Sequence, residues 1–312
     1  MFFQLRSAIA YRRFARATRA LDDTPPLASD RASSCEVHTM LGERDVTMYL
    51  LAIKTLLSVV GRLSVVVHSD GSLSDAAVAR LRRHITGIKV VDHAAADARA
   101  TEALGPFPLL AKWRTHDAAY RRLVDVELWR QSPRVIILDS DVLTNSYPEE
   151  VAVWAENGSR AFLLGQPARQ SSDSGESTHV QAQFLAKVPE LSAALGREPS
   201  FIQGGTAGFC GYLNEITLEV TERALNAALA AGLPMQQWGG DQCLVIYLLS
   251  TGSATRLPAD RYLNFDPSVQ AAADKACIIH FYGTHRFHGR VYPRLAAQAV
   301  QRLAAGTQAR AF

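Results

Sequence analysis

The sequence predicts an α/β fold, a largely parallel sheet covered by helices on both faces. Two observations carry this. Short β-branched apolar runs alternate with stretches whose apolar residues recur at helical spacing. The run Val135 to Leu138 then breaks into Asp139-Ser140-Asp141 after Ser132-Pro133, which places two carboxylates at a strand's carboxyl end, where open α/β sheets bind ligands. Asp139 and Asp141, one residue apart, can both reach one hard divalent cation through oxygen. As residues at a loop they can equally cap the next helix. The rest of the chain has to decide between these.

The bounds are those of an ordinary globular protein. The chain has 312 residues, 48% of them hydrophobic and 20% charged, enough for one large domain or two small ones with a substantial core. Cys35, Cys210, Cys243 and Cys277 are widely spaced, without a C-x-x-C pair, and read as buried free thiols of a reducing, cytoplasmic compartment. A net charge of +3 does not support nucleic-acid binding. No apolar run reaches the roughly 18 to 20 residues that span a bilayer.

The basic excess is local. Arg6, Arg12, Arg13, Arg16 and Arg19 lie in the first twenty residues with no acid among them, and without them the remainder is −2. Phe3, Ala10, Phe14, Ala17 and Leu21 fall at helical spacing. That pattern fits a frayed extension or a helix packed on the body, or a basic amphipathic helix in peripheral contact with the anionic inner face of a membrane. Its apolar pieces are too short for a signal peptide. Asp22 to Ser34, with Pro25-Pro26, reads as a linker, so residues 1–34 are expected as an extension and residues 35–312 as a single domain.

From there the elements follow in order. Glu36 to Met40 is a strand and Asp45 to Val60 a helix; Leu63 to Val67 is a second strand, ending in His68-Ser69-Asp70-Gly71. Ser72 or Ser74 caps a helix to about His84. Ile88 to Val91 and Ala94 to Leu104 make a third pair, and Trp113 to Trp129 one helix that delivers the chain into the Val135 strand. Glu149 to Glu156 is helical and Ala161 to Leu164 a strand; the serine-rich Pro167 to His179 is a loop that can act as a lid. Phe201 to Tyr212 is a strand punctuated by glycine, a sign of close backbone approach. Leu218 to Ala231 and Asp241 to Leu249 are helices, Cys277 to Phe281 a strand, and a last helix starts near Pro293. No internal repeat is present.

The order of these pieces resembles the retaining glycosyltransferases that include glycogenin and the bacterial lipopolysaccharide galactosyltransferases. The shared features are D-S-D after a buried strand, a Gly-rich strand, Asp241-Gln242 opening a helix, and H-x-x-G near the C-terminus, over roughly Val37 to Arg290. The resemblance implies the GT-A fold, a Rossmann-like, mostly parallel mixed sheet with helices on both faces, and transfer of a sugar from a UDP-sugar donor with retention. It assigns Asp139, Asp141 and His280 to Mn²⁺ (or Mg²⁺), a donor set of two carboxylates and an imidazole that suits this ion. It further implies donor contacts by Arg122 of Tyr120-Arg121-Arg122-Leu123, Ser140, Gly283 and Gln203-Gly204-Gly205. The last replaces the family's N-[SA]-G and keeps the amide one carbon longer. Backbone groups of His38 and Thr39 at the end of the first strand are placed at the uracil, with Asp70 on the same edge. Asp241 and Gln242 lie near the reacting sugar.

One motif departs from the family. Where H-x-x-G-x-x-K-P-W is usual, this chain has Arg286, Phe287 and His288 at the last three positions. Arg286 keeps the charge that stabilises a leaving diphosphate and adds bidentate geometry; the loss of Pro and Trp marks a divergent branch, and His285 and His288 read as loop residues. A glycan, a lipid-linked glycan or a small molecule is open as acceptor. Three rivals are weaker. A dehalogenase-type phosphatase wants Thr or Val where Leu143 stands, and a nucleotidyltransferase wants a better Gly-rich loop than Leu41-Gly42-Glu43-Arg44. A degenerate nucleotide-sugar or glycan-binding protein has no need of a complete metal triad.

Overall fold

The computed structural model describes residues 2–116, 118–165, 175–199 and 205–306. Helix α1 (Phe2–Ala17) and a 3-10 turn (Arg19–Asp23) precede strand β1 (Leu27–Ala28). Then come β2 (Cys35–Leu41), α2 (Val46–Val60), β3 (Ser64–Ser69), α3 (Asp75–His84), β4 (Ile85–Thr86), β5 (Lys89–Val91) and α4 (His93–Ala103). Helices α5 (Pro108–Arg114) and α6 (Ala118–Trp129) lead into β6 (Arg134–Leu138), β7 (Val142–Thr144), α7 (Glu149–Asn157) and β8 (Phe162–Gly165). The chain continues through α8 (Gly175–Ala186), α9 (Val188–Leu195), β9 (Gly205–Tyr212), α10 (Leu218–Ala230), α11 (Gly240–Thr251), β10 (Thr255–Arg256), β11 (Tyr262–Asn264), β12 (Ile278–His280) and α12 (Val291–Ala304).

The main sheet has the order β10-β8-β9-β6-β2-β3-β5. Every neighbouring pair is parallel except the two that β9 makes with β6 and β8. From β2 the chain builds outward through β3 and β5, then crosses back to place β6 on the other side of β2. That reversal opens a crevice at the carboxyl ends of β2 and β6. Side chains of β6 alternate between the two cores. Ile136 and Leu138 join the core that includes α2 and α12, while Val135 and Ile137 join the one under α6, α10 and α11, as a period of two in a sheet buried on both faces requires. A second sheet, β11-β12-β7, lies beside the first and runs β12 antiparallel to β7.

The expected α/β order is present, with differences that have physical causes. Ser74 is the residue that caps α3, accepting from the Ala77 amide. The helix expected over Trp113 to Trp129 is two, because Thr115 ends α5 and α6 restarts at Ala118. The three-residue strands β7 and β11 are too short to carry a pattern and were not anticipated. The four cysteines are free and buried, and burial pushes the Cys35, Cys210 and Cys243 thiols up to about 12. Most of the suggested lid, residues 167–174, lies outside the described residues. Among the described residues no helix is long and apolar enough to cross a membrane.

Within residues 1–34, α1 takes the packed reading and the stretch read as a linker carries a 3-10 turn and β1. Phe14 is buried against Tyr292 of α12 at a ring separation of 4.8 Å, so α1 packs on the body at Phe14, while Arg12, Arg13 and Arg16 remain exposed. Leu21 has no exposed surface, and β1 pairs with β4 through Leu27 and Ala28. Lys54 Nζ, on α2, holds this segment through Thr24 Oγ1 at 2.5 Å and the Pro25 carbonyl at 2.8 Å. Leu21→Ala should therefore lower the unfolding free energy by about 2–5 kcal/mol in urea titration. A loss below about 0.5 kcal/mol, as for a surface position, would contradict the packing.

Candidate active site

The site begins where β6 stops. Its β-branched run is satisfied by β2 on one side and β9 on the other, and the ladder ends with the Asp139 amide donating to the Gly208 carbonyl at 2.8 Å. The chain turns at once, Val142 N donating to Asp139 O, and enters β7. Because β7 pairs with β12, Val142 sits opposite His280 and the Phe281 amide donates to the Asp141 carbonyl at 2.9 Å. Backbone pairing thus delivers His280 to the carboxylates. Its Nε2 lies 3.3 Å from Asp141 Oδ1 and 3.8 Å from Asp139 Oδ2, and Thr206 Oγ1 of β9 lies 3.5 Å from Nδ1.

Each carboxylate has its own arginine. Arg122 Nη1 on α6 donates to Asp139 Oδ1 at 2.6 Å, and its Nη2 lies 3.6 Å from Asp241 Oδ2 in the first turn of α11. The two helices meet there because Tyr120 Oη donates to the Met235 carbonyl at 2.7 Å, in the turn before α11. Gly240 makes that turn, since a side chain would collide with the Met235 backbone. Arg286 Nη2 donates to Asp141 Oδ2 at 2.5 Å. Burial pushes the Asp141 carboxyl up, but His280 and Arg286 outweigh it and hold the group below the usual carboxylate range. Gln242 follows Asp241, its Oε1 3.4 Å from Thr206 Oγ1.

The ligand atoms of Asp139, Asp141 and His280 all lie within 4.8 Å of one another, and two oxygens with one imidazole nitrogen are a fitting set for Mn²⁺. Gly208 keeps the space between them open. A Cβ there would sit 2.6 Å from His280 Nε2 and 2.8 Å from Asp139 Oδ2, closer than real Cβ contacts.

A scan of protein-family models matches none to this chain, and a search of curated proteins finds no relative. Solved structures do resemble it. The galactosyltransferase LgtC, in complex with donor and acceptor sugar analogs, superposes with a TM-score of 0.50 at 16% identity, covering 86% of this chain and 95% of LgtC. The fold is GT-A. Mouse xyloside xylosyltransferase 1 in its apo form scores 0.46 at 12% identity, over 82% of this chain and 98% of its own. The glycosyltransferase GlyE of Streptococcus pneumoniae TIGR4 scores 0.48 at 12% identity, over 88% of this chain and 63% of its own. The GT-A fold rests on LgtC alone, and at such identities a likeness speaks only for the fold.

Within this GT-A chain the structure gathers Asp139, Asp141, His280, Arg122, Asp241, Gln242 and Arg286 at the crevice. Ser140 lies between the carboxylates, half-exposed, and Gly283 opens the following turn at φ +53. Asp70 follows β3, its carboxylate bound by the amide and hydroxyl of Ser72 at 2.8 and 2.6 Å. Gly205 packs under Ile246 of α11 rather than opening into the crevice. Gln203 and Gly204 lie outside the described residues. Gly208 and Thr206 were not among the expected site residues; the glycine punctuation of their strand was the available signal for Gly208, and Thr206 had none.

The side chains of His38 and Thr39 serve the sheet. Strand β2 continues to Leu41, so both lie inside the sheet with essentially no exposure. Thr39 Oγ1 donates to the Leu138 carbonyl at 2.6 Å and supports the strand end behind Asp139. His38 joins a buried chain, its Nε2 3.2 Å from Glu36 and its Nδ1 2.9 Å from His68 Nε2. With Glu36 accepting from His38 Nε2–H, His38 Nδ1 accepts from His68 Nε2–H and both rings are neutral. Burial lowers both pKa values; Glu36 pulls His38 partly back, and His38 lowers His68 further.

Two predictions follow from these contacts. Gly208→Ala should weaken Mn²⁺ binding at least about tenfold in calorimetry, the loss that misplaced ligands bring, and undiminished binding would contradict this site. The histidine pair gives a pH dependence. Below about pH 6.5 unfolded histidine takes up protons that the folded rings refuse, so stability falls with pH, by up to about 1.4 kcal/mol per unit for each ring. His68→Gln, whose amide can still donate to His38, should flatten the fall between pH 6.5 and 5; an unchanged slope would show that the pair does not titrate this way.

Proposed function

We propose that this protein is a metal-dependent glycosyltransferase that moves a sugar from a nucleotide-sugar donor, with UDP as the nucleotide, to a hydroxyl acceptor with retention at the anomeric carbon. The observation that carries the proposal is the convergence of Asp139, Asp141 and His280 with Arg286, Arg122 and Asp241 at the crevice of a GT-A sheet. LgtC, one of the structures that resemble this chain, is a galactosyltransferase caught with donor and acceptor sugar analogs, which supports the same substrate class here. Asp139, Asp141 and His280 would hold Mn²⁺ or Mg²⁺, which when bound supplies Lewis-acid stabilisation of charge on a diphosphate.

The chain's own residues do the rest. Arg286 is a permanent cation and stabilises the negative charge that grows on the diphosphate as the sugar–phosphate bond breaks. Arg122 fixes Asp139 relative to Asp241, so the metal-ligand carboxylate and the carboxylate at the head of α11 keep one spacing. Asp241 orients the sugar or the acceptor hydroxyl, and Gln242 beside it offers an amide to the reacting sugar. Thr206 holds the His280 ring from behind, directing Nε2 to the carboxylates.

A thermal-shift and hydrolysis screen of UDP-sugars, GDP-sugars and free nucleotides, with and without Mn²⁺, tests the proposal. The expected result is stabilisation by one UDP-sugar that requires Mn²⁺, with slow release of UDP. Asp141→Ala should abolish both, a loss of at least about a hundredfold in turnover. Binding of no nucleotide under any condition would remove the assignment.

A further inference from the structure

Arg286 follows a 3-10 turn, Gly283–His285, and precedes a second, His288–Arg290, in which Gly289 and Arg290 both have positive φ. Such a segment has little regular backbone pairing to hold it. What fixes the guanidinium comes in part from the other end of the chain. Nε donates to the Phe281 carbonyl at 3.1 Å, Nη2 donates to Asp141 at 2.5 Å, and Nη1 donates to the Tyr11 hydroxyl of α1 at 3.0 Å. The Tyr11 ring in turn stands edge-on to Phe287, the residue after Arg286, with centroids 5.0 Å apart at 70°. Phe14, one helical turn on, lies 6.2 Å from the same Phe287 ring.

We propose that Tyr11 is a positioning residue for Arg286, and that α1 is thereby a working part of the transferase site rather than an appendage to it. This rests on the reading of Arg286 as the group that meets the diphosphate. A guanidinium is a planar fork whose direction is set only when several of its nitrogens are held. Phe281 O fixes the stem side, and Asp141 holds Nη2. The Tyr11 hydroxyl accepts from the third nitrogen, Nη1, at 3.0 Å, and Met48 Sδ lies 4.0 Å from the same nitrogen. The Tyr11 ring, lodged against Phe287, keeps the hydroxyl in place. Where this segment lacks the Pro and Trp of the family motif it resembles, Phe287 supplies an apolar side chain, and α1 supplies the surface it packs on.

The test uses the full chain as wild type, Tyr11→Phe, Arg286→Ala and the double variant. UDP with Mn²⁺ is the probe, titrated by calorimetry, and amide hydrogen exchange is followed over residues 281–292. Tyr11→Phe keeps the ring and removes only the hydroxyl. It should weaken UDP binding about 3- to 10-fold at an unchanged thermal midpoint, in line with one lost hydrogen bond to a charged group, and Arg286→Ala should weaken it more. The double variant should bind as Arg286→Ala alone does, since a residue acting through Arg286 has nothing left to act on. Full-strength binding by Tyr11→Phe, or losses that add in the double variant, would overturn the proposal. If the wild type binds no UDP, the reading of Arg286 fails by itself and exchange decides. Faster exchange over residues 281–292 in Tyr11→Phe supports the positioning role, and unchanged exchange removes it.

Discussion

Two carboxylates cannot be brought to one point inside a protein without cations to offset them, because each loses its hydration and repels the other. Here Arg122 pairs with Asp139 and Arg286 pairs with Asp141, and much of the molecule is arranged around those two ion pairs. Arg122 comes from α6, which the chain completes immediately before entering β6. Arg286 comes from the segment after β12, steadied by α1. Opposite ends of the sequence therefore meet at one pair of aspartates. The same pairing suits transfer chemistry, in which a metal and an arginine share the charge of a leaving diphosphate.

Topology does the remaining placement. The crossing from β5 back to β6 puts the carboxylates at the reversal of the main sheet, and β9, running against its neighbours, brings Gly208 and Thr206 alongside them. The small sheet then adds the imidazole, because β7 begins one residue after Asp141 and its partner β12 ends on His280. The three candidate metal ligands are thus fixed by backbone pairing of β6, β7 and β12, not by flexible loops, which is the rigidity a preorganised site needs.

What could be read from the residues and what could not divide along physical lines. The carboxylate pair was legible as a strand end because a β-branched run breaks at it, while the choice between ligand and cap needed the rest of the chain. His280 was legible through its motif order, and the alternation of strands and helices through periodicity. The hydrogen-bond chain of His38 with Glu36 and His68 was not legible, because it joins two strands that only the fold brings together. The break between α5 and α6 contains neither Pro nor Gly, so periodicity ran across it. For residues 1–20 the packed helix and the membrane-surface helix both stayed open, because an amphipathic pattern says that one face is buried, not against what. The roles of Gly208 and Tyr11 depend on contacts with residues far away in the chain, and no local pattern records them.

The most direct measurement is anomalous diffraction at the manganese edge from a crystal of the full chain grown with Mn²⁺ and UDP. The account predicts a single strong peak within bonding distance of Asp139, Asp141 and His280, with the diphosphate beside it and the Arg286 guanidinium turned toward the phosphate oxygens. A peak elsewhere, or nucleotide bound away from the carboxyl ends of β2 and β6, would contradict it.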